Sequence, residues 1–148
     1  MKILLGLSGG VDSTYAALKL KRMGYEVEGA VVLMHAYTDT EGARRSADEV
    51  GVRLHEIDAR DAFEGVVCEN FVCEYTSGRT PNPCVICNRE VKFRALCDYA
   101  RKNGFDAVAT GHYARIKSVE TESGKRYYVA PAADLKKDQS YMLSRLSQ

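Results

Sequence analysis

The 148-residue sequence has almost no net charge and no long apolar run. Its 21 basic and 20 acidic residues leave a net charge of +1, so overall charge draws the chain toward neither nucleic acid nor membrane. A membrane-spanning helix needs about 20 predominantly apolar residues, and no segment approaches that length. The first residues enter an apolar run directly, without a cleavable signal pattern. We therefore expect a cytoplasmic protein with no membrane partner.

Proline is also scarce, and the sequence contains no internal repeat or low-complexity segment. The five cysteines are an odd number. Without an export signal they predict a reducing compartment, where cysteines are more often reactive, metal-binding or buried than paired. A hydrophobic content of 45% with 28% charged residues is typical of a globular domain that buries a sizeable core.

Strand-like and helix-like segments alternate along the chain. Apolar runs predict strands at residues 2–7, 27–34, 52–57 and 106–110. The segments between them have helical periodicity, and two β-rich runs around residues 120–125 predict a small hairpin near the C-terminus. This alternation predicts an α/β, Rossmann-like parallel sheet with helices on both faces, which binds ligands at the carboxyl ends of its strands.

A glycine-rich loop, SGGVDS at residues 8–13, lies between the first strand and the first helix. Backbone N–H groups at such a junction bind phosphate. The loop lacks the lysine of G-x-x-x-x-G-K-[ST], which reaches the β- and γ-phosphates. Asp12 repels phosphate unless it holds a bridging Mg²⁺, and a helix cap is its alternative role.

The hexapeptide resembles the pyrophosphate loop of the PP-loop ATPases, the adenine-nucleotide α-hydrolase-like superfamily. The resemblance implies cleavage of ATP between the α- and β-phosphates, so a lysine for the γ-phosphate is not needed. It implies ATP and Mg²⁺ as cofactors. The ATP-binding residues expected from it are Gly6, Leu7, Ser8, Gly9, Gly10, Val11, Asp12, Ser13, Val32, Met34 and Gly111.

Further motifs are similar to the tRNA 2-thiouridylase family: GRTPNP at 78–83, CNREVKF at 87–93, ATGHY at 109–113 and KDQSY at 137–141. The resemblance covers nearly the whole chain. It implies ATP-dependent insertion of sulfur at carbon 2 of the tRNA wobble uridine, with tRNA and a persulfide-relay protein as partners. The residues expected to contact the target base or the tRNA are Asn82, Pro83, Cys84, His112, Lys137, Asp138 and Gln139.

Cys87 is the catalytic residue implied by this resemblance. A second cysteine would carry the persulfide and attack the adenylated carbon 2, and Cys87 would then form a disulfide with it. We expect Asn88 to begin a helix, so that the helix dipole, with Arg89 and Lys92 nearby, lowers the pKa of the Cys87 thiol. The other cysteines outside the loop are expected to be buried small apolar residues: Cys68, Cys73 and Cys97.

Two departures from the family leave alternatives open. No residue matches the partner cysteine, and the central RNA-binding and C-terminal β-barrel domains are missing, so residues 1–148 are expected to be the catalytic domain of a longer chain, inactive alone. Cys84 stands where many members carry Asp. The resulting Cys84-x-x-Cys87 pair leaves open an iron–sulfur cluster with a third ligand elsewhere. A nucleotide-binding module without chemistry is the other alternative.

Overall fold

The computed structural model describes residues 1–147, which contain a four-stranded parallel sheet and a separate hairpin. The sheet strands are β1 (Lys2–Gly6), β2 (Glu26–Leu33), β3 (Leu54–Asp58) and β4 (Ala107–Thr110). Their order is β3-β2-β1-β4, and all three pairings are parallel. The predicted sheet is confirmed, with strand ends shifted by one or two residues. Because the strand order reverses at β1, a ligand crevice is expected between the carboxyl ends of β1 and β4.

Helices cover both faces of this sheet. They are α1 (Val11–Arg22), α2 (Thr40–Val50), α3 (Arg60–Ala62), α4 (Glu69–Thr76), α5 (Pro83–Cys87) and α6 (Phe93–Lys102). Two π-helical segments, Phe63–Cys68 and Asn88–Lys92, join α3 to α4 and α5 to α6. None of the helices among residues 1–147 combines the length and apolar character needed to cross a membrane.

The expected helix start at Asn88 is wrong. Asn88 has helical dihedral angles, φ −59° and ψ −49°, and is buried within a continuous helical segment. That segment begins at Pro83. Proline suits the first position of a helix, because its missing N–H would have no partner there and its φ is already helical. The helix therefore begins inside the proline-containing segment, before Cys87.

Alternate side chains of β1 enter two cores on opposite faces of the sheet. Leu4 packs with Val91 and Leu96 on one face, whereas Leu5 and Leu7 join the helices on the other. This arrangement explains the unbroken apolar run at the start of the sequence, because a strand covered by helices on both faces has no solvent side.

The predicted hairpin is confirmed as β5 (Arg115–Thr121) paired antiparallel with β6 (Gly124–Ala130). Short 3₁₀ turns at Leu135–Lys137 and Ser140–Leu143 follow it. The chain then returns to the end of β4. The Gln139 N–H donates to the Tyr113 carbonyl at 2.8 Å, and the Tyr113 N–H donates to Gln139 Oε1 at 2.9 Å.

Gly9 brings the first loop into direct backbone contact with α2. Its φ is +83°, and a Cβ there would lie 2.5 Å from the Gly42 carbonyl carbon and 2.7 Å from the Ala43 nitrogen. Real Cβ atoms do not approach backbone this closely, so a side chain at position 9 would push the loop away from the helix. Only glycine satisfies both the positive φ and the contact.

We predict that Gly9→Ala destabilises the domain more than Gly78→Ala does. Gly78 also has a positive φ, +73°, but nothing lies within 4 Å of its Cβ position. Both variants incur left-handed strain of about 1–2 kcal/mol. Only Gly9→Ala adds overpacking, which costs about 1–3 kcal/mol. Urea unfolding followed by circular dichroism measures the difference, and equal losses in the two variants would contradict the contact.

Candidate active site

A cavity of about 410 Å³ lies at the carboxyl edge of the sheet. Its wall is formed by the end of β1, the loop that follows, the end of β2 with the segment leading to α2, and the residues after β4. The volume lies within the roughly 300–1,000 Å³ typical of small-ligand sites. The cavity therefore lies at the crevice expected from the strand order.

Many residues predicted for the site line this cavity. Those predicted for ATP are Gly6, Leu7, Ser8, Asp12, Ser13, Val32, Met34 and Gly111, and those predicted for the base or the tRNA are His112 and Gln139. The remaining predicted residues are outside its wall: Gly9, Gly10, Val11, Asn82, Pro83, Cys84, Cys87, Lys137 and Asp138. The fold thus brings three distant motifs to one cavity and leaves both cysteines of the Cys84-x-x-Cys87 pair outside its wall.

Internal hydrogen bonds hold the glycine loop in shape. The Ser13 hydroxyl donates to the Gly10 carbonyl at 2.9 Å, and the Ser8 N–H donates to Ser13 Oγ at 3.3 Å. The Thr14 hydroxyl donates to the same Gly10 carbonyl at 3.0 Å. The serine hydroxyls are therefore engaged within the loop. The first N–H groups of α1 have no acceptors inside the helix and supply the anion-binding capacity.

Asp12 is held by a tyrosine from the segment that follows β4. The Tyr113 hydroxyl donates to Asp12 Oδ1 at 2.7 Å. This hydrogen bond, together with burial, raises the pKa of Tyr113 above its ordinary value. The N-cap of α1 is Gly10, and no side chain caps the helix there, so the helix-cap role considered for Asp12 is wrong. Its carboxylate remains directed to the cavity, and Tyr113 is a site residue that we missed.

The KDQSY segment is tied to the same tyrosine. The Lys137 ammonium lies 5.3 Å from the centroid of the Tyr113 ring. Asp138 accepts from the Ser140 hydroxyl and from the Ala132 N–H, each at 2.7 Å. Those bonds, the serine bond first, lower the pKa of the Asp138 carboxyl. The segment therefore has a structural role in closing the C-terminal return against the end of β4.

The Cys87 thiol is half-buried beside Met34. Its Sγ lies 3.4 Å from Met34 Sδ, and Met34 lines the cavity. Burial raises the pKa of the thiol, and the nearby charge of Lys92 offsets this only in part. The expected lowering of this pKa is wrong, because Cys87 is the last residue of α5 and the helix dipole acts mainly on the first turn.

The remaining cysteines are more accessible than expected. Cys68, Cys73 and Cys84 are exposed, and Cys97 is partly exposed. The burial expected for Cys68 and Cys73 is wrong, because Val67 is the one buried residue of the segment Phe63–Cys68 and α4 buries none of its residues. Among residues 1–147 no group of three or more His, Cys, Asp or Glu side chains is placed to hold a metal ion. The iron–sulfur alternative therefore gains no support.

His112 and Lys92 share the cavity wall. The His112 Nδ1 pairs with the Thr110 hydroxyl at 2.9 Å, and its ring stacks on Phe93 with centroids 6.0 Å apart. Burial, reinforced by the Lys92 charge, lowers the pKa of His112, so the imidazole is neutral at pH 7. The sequence had associated Lys92 with Cys87 only. The π-helical segment that carries it was not predictable from apolar spacing.

The segment between β2 and α2 contributes wall residues that sequence reasoning also missed: His35, Tyr37, Thr38 and Asp39. The Thr38 hydroxyl donates to the His35 carbonyl at 2.9 Å and accepts from the Met34 N–H at 3.2 Å. Asp39 caps α2 by accepting from the Gly42 N–H at 2.8 Å. The sequence did offer a signal for this segment, namely its position after a parallel strand, because segments that follow parallel strands meet at one edge of the sheet.

Curated proteins with similar sequences carry a common name. The chain is 43% identical to tRNA-specific 2-thiouridylase MnmA of Treponema denticola, a match that covers all of this chain and 43% of that protein. It is 47% identical to tRNA-specific 2-thiouridylase MnmA of Sulfurimonas denitrificans, with 96% of this chain and 41% of that protein covered. The chain thus spans less than half the length of these relatives.

A solved structure shares the fold at low sequence identity. It is the predicted subunit of tRNA methyltransferase from Methanocaldococcus jannaschii, with a TM-score of 0.51 and 11% identity over 82% of this chain and 80% of that one. The family model described as the tRNA methyl transferase HUP domain matches residues 1–148, the full length of the sequence. The chain therefore belongs to the tRNA methyl transferase HUP domain family.

Proposed function

We propose that residues 1–148 form the ATP-binding catalytic domain of a tRNA-uridine 2-sulfurtransferase. The observation that carries the proposal is the single cavity that joins the glycine loop, Asp12 and the His112 segment, with the Cys87 thiol one contact away through Met34. The names of relatives 40–47% identical to this chain support tRNA as the substrate. A cytoplasmic location and a persulfide-relay partner belong to the same proposal.

The cavity residues suit a nucleotide with its metal. The free N–H groups at the start of α1 would hold the phosphates, and Val32 and Met34 at the end of β2 would contact the adenine. The wall contains the carboxylates of Asp12, in the first turn of α1, and of Asp39, before α2. Asp39 caps α2, so Asp12 is the residue that would hold Mg²⁺. When bound, the metal would neutralise phosphate charge during transfer.

The first chemical step is adenylation of the uridine. The oxygen on carbon 2 attacks the α-phosphorus of ATP, the bond to the β-phosphate breaks, and pyrophosphate leaves. Lys92 lines the cavity, and its positive charge would stabilise the negative charge that develops in this step. His112 is neutral at pH 7 and hydrogen-bonded to Thr110, and in this proposal it would position the base rather than bind the phosphates.

Cys87 acts in the second step. A persulfide on a second cysteine attacks carbon 2 through its terminal sulfur, and AMP leaves. The Cys87 thiolate then attacks the inner sulfur, which releases the thiocarbonyl and leaves a disulfide between the two cysteines. Because burial raises the pKa of Cys87, the thiol stays protonated in the free domain, and Lys92 is the cation that favours its ionisation.

The family description refers to methyl transfer, whereas the curated relatives are named for thiolation. We follow the relatives, because an anion-binding loop with a carboxylate beside it suits a metal-bound triphosphate. A nucleotide-binding module without chemistry is the remaining alternative. That module would not cleave ATP in the presence of tRNA, so an assay for tRNA-dependent ATP cleavage distinguishes it from the catalytic domain.

We predict that Asp12→Ala weakens ATP binding in the presence of Mg²⁺ by about tenfold, equivalent to about 1.4 kcal/mol. The variant should also lose the dependence of ATP affinity on Mg²⁺, because the carboxylate that holds the metal is gone. Isothermal titration calorimetry with and without Mg²⁺ measures both effects. Tyr113→Phe is the matched control, since it removes only the hydroxyl that donates to Asp12 and keeps the carboxylate. Equal ATP affinity in Asp12→Ala and the wild type would exclude Asp12 from metal binding.

We predict that the isolated chain, with ATP, Mg²⁺, a persulfide donor and unmodified tRNA, releases pyrophosphate in a tRNA-dependent manner but forms no thiouridine. Cys84 lies on the same short helix as Cys87, and we assign it to the target base. On this proposal none of residues 1–148 carries the persulfide. Pyrophosphate assays and nucleoside mass spectrometry measure the two products, with a tRNA carrying wobble cytidine as control. Production of ADP and phosphate would contradict adenylation, and thiouridine would show that the sulfur chemistry is misassigned.

We predict that Cys87 is alkylated more slowly than Cys68, Cys73 and Cys84 at neutral pH. The three are exposed, whereas Cys87 is half-buried with a raised pKa, which lowers both access and thiolate fraction. Timed alkylation with peptide mass mapping gives the order. The pH dependence should place the midpoint for Cys87 above the ordinary value of a thiol, and Lys92→Met should move it higher. If Cys87 were alkylated faster than the other cysteines, half-burial would not be what controls its reactivity.

A further inference from the structure

The β5–β6 hairpin begins and ends at the rim of the cavity. Just before β5, Tyr113 is hydrogen-bonded to Asp12 and to Gln139, and both of these line the cavity. Just after β6, the Ala132 N–H donates to Asp138 Oδ1 at 2.7 Å. Each strand has seven residues, so the hairpin extends over about 23 Å. A macromolecule that places one nucleotide in the cavity can therefore also contact the hairpin.

The two faces of the hairpin differ in charge. Side chains alternate along each strand, and the register pairs Lys117 with Tyr128 and Val119 with Arg126. One face, which we call the basic hairpin face, therefore carries Arg115, Lys117, Val119, Arg126 and Tyr128. It has three cations and no acidic residue.

On the opposite face of the hairpin, the charges of the acidic and the basic side chain neutralise each other. This face pairs Glu120 directly with Lys125, and the Lys125 ammonium also lies 5.8 Å from the centroid of the Tyr127 ring. Uneven charge is therefore confined to one side of the hairpin, although the chain as a whole has a net charge of only +1.

The basic hairpin face is exposed and its charges are not neutralised within the domain. Strand β5 is solvent-exposed throughout, and Tyr128 is 49% exposed. Among residues 1–147, no acidic side chain forms an ion pair with Lys117 or Arg126. Arg115 Nε donates to the Pro131 carbonyl at 2.8 Å, which keeps its positive charge at the base of the hairpin. Neighbouring cations on paired strands repel, and a polyanion on this face relieves that repulsion.

We propose that the basic hairpin face binds the tRNA backbone next to the nucleotide held in the cavity. Lys117 and Arg126 contact phosphates, and the Tyr128 ring, directly opposite Lys117, stacks on an unpaired base. Cations interleaved with an exposed aromatic ring are the chemistry that single-stranded RNA recognises. The inference rests on the proposed function and names a tRNA-contacting surface for it.

The test compares two double variants that each remove two positive charges. Lys117→Gln with Arg126→Gln changes the basic hairpin face. Lys125→Gln with Lys19→Gln is the control, because Lys125 is on the opposite hairpin face and Lys19 is in the last turn of α1. Fluorescence anisotropy with labelled tRNA over a series of salt concentrations measures affinity, and circular dichroism checks folding.

The expected result is a selective loss in the first double variant. Its slope of log affinity against log salt concentration should fall by roughly 1.4–1.8, since each phosphate contact contributes about 0.7–0.9. The control should keep the wild-type slope. Tyr128→Leu should weaken binding about tenfold with the slope unchanged, and Tyr128→Phe should retain binding, because stacking needs the ring and not the hydroxyl.

Equal losses of tRNA affinity in the two double variants, or no loss in either, would contradict the proposal that this face binds tRNA. Unchanged tRNA affinity is also the result expected if this face receives an acidic protein instead. The proposed function is judged separately by tRNA-dependent pyrophosphate release from the wild-type chain. If the wild-type chain releases pyrophosphate but the hairpin variants keep full tRNA affinity, only the proposed surface is wrong. If the wild-type chain releases no pyrophosphate at saturating tRNA, the proposed function is wrong, even where tRNA binds.

Discussion

Close contact between backbone segments at the carboxyl edge of the sheet is the constraint on which the site depends. Gly9 presses the first loop against the start of α2, and Gly111 lies so near the start of α1 that a Cβ there would be 3.0 Å from the Ser13 nitrogen. These contacts bring the loop after β1, the segment after β2 and the end of β4 to one cavity. A larger residue at either position would separate the walls that the cavity needs.

The same closure sets where Asp12 and Cys87 lie relative to the cavity. Asp12 and the loop lie at one side of the cavity, where Tyr113 joins them to the C-terminal return. The Cys87 thiol lies outside the wall, in contact with Met34 and with a raised pKa. A protonated, half-buried thiol is protected from stray oxidation in the free domain, because the thiolate is the reactive form.

Most of the fold was predictable because the residues themselves impose it. Four apolar runs separated by helical segments predict a parallel sheet, and the structure confirms it. The hairpin was predictable from β-rich runs around a turn. The helix start was not, because Asn88 has the residue type of a cap yet lies inside a helix that begins at Pro83. The exposure of Cys68 and Cys73 was also missed, because apolar spacing predicts an apolar face on a helix but not whether another element covers that face, and α4 buries none of its residues.

The sequence by itself determined the order of the elements, the anion-binding loop and the residue types available to the site, because these follow from local patterns of apolar residues and glycine. Only the tertiary structure decided which of these residues meet. The pairing of Tyr113 with Asp12 spans about a hundred residues, and Cys87, whose pKa burial raises, lies against Met34, 53 residues away. A side chain's pKa and partners depend on neighbours brought together by folding, and no local pattern specifies them.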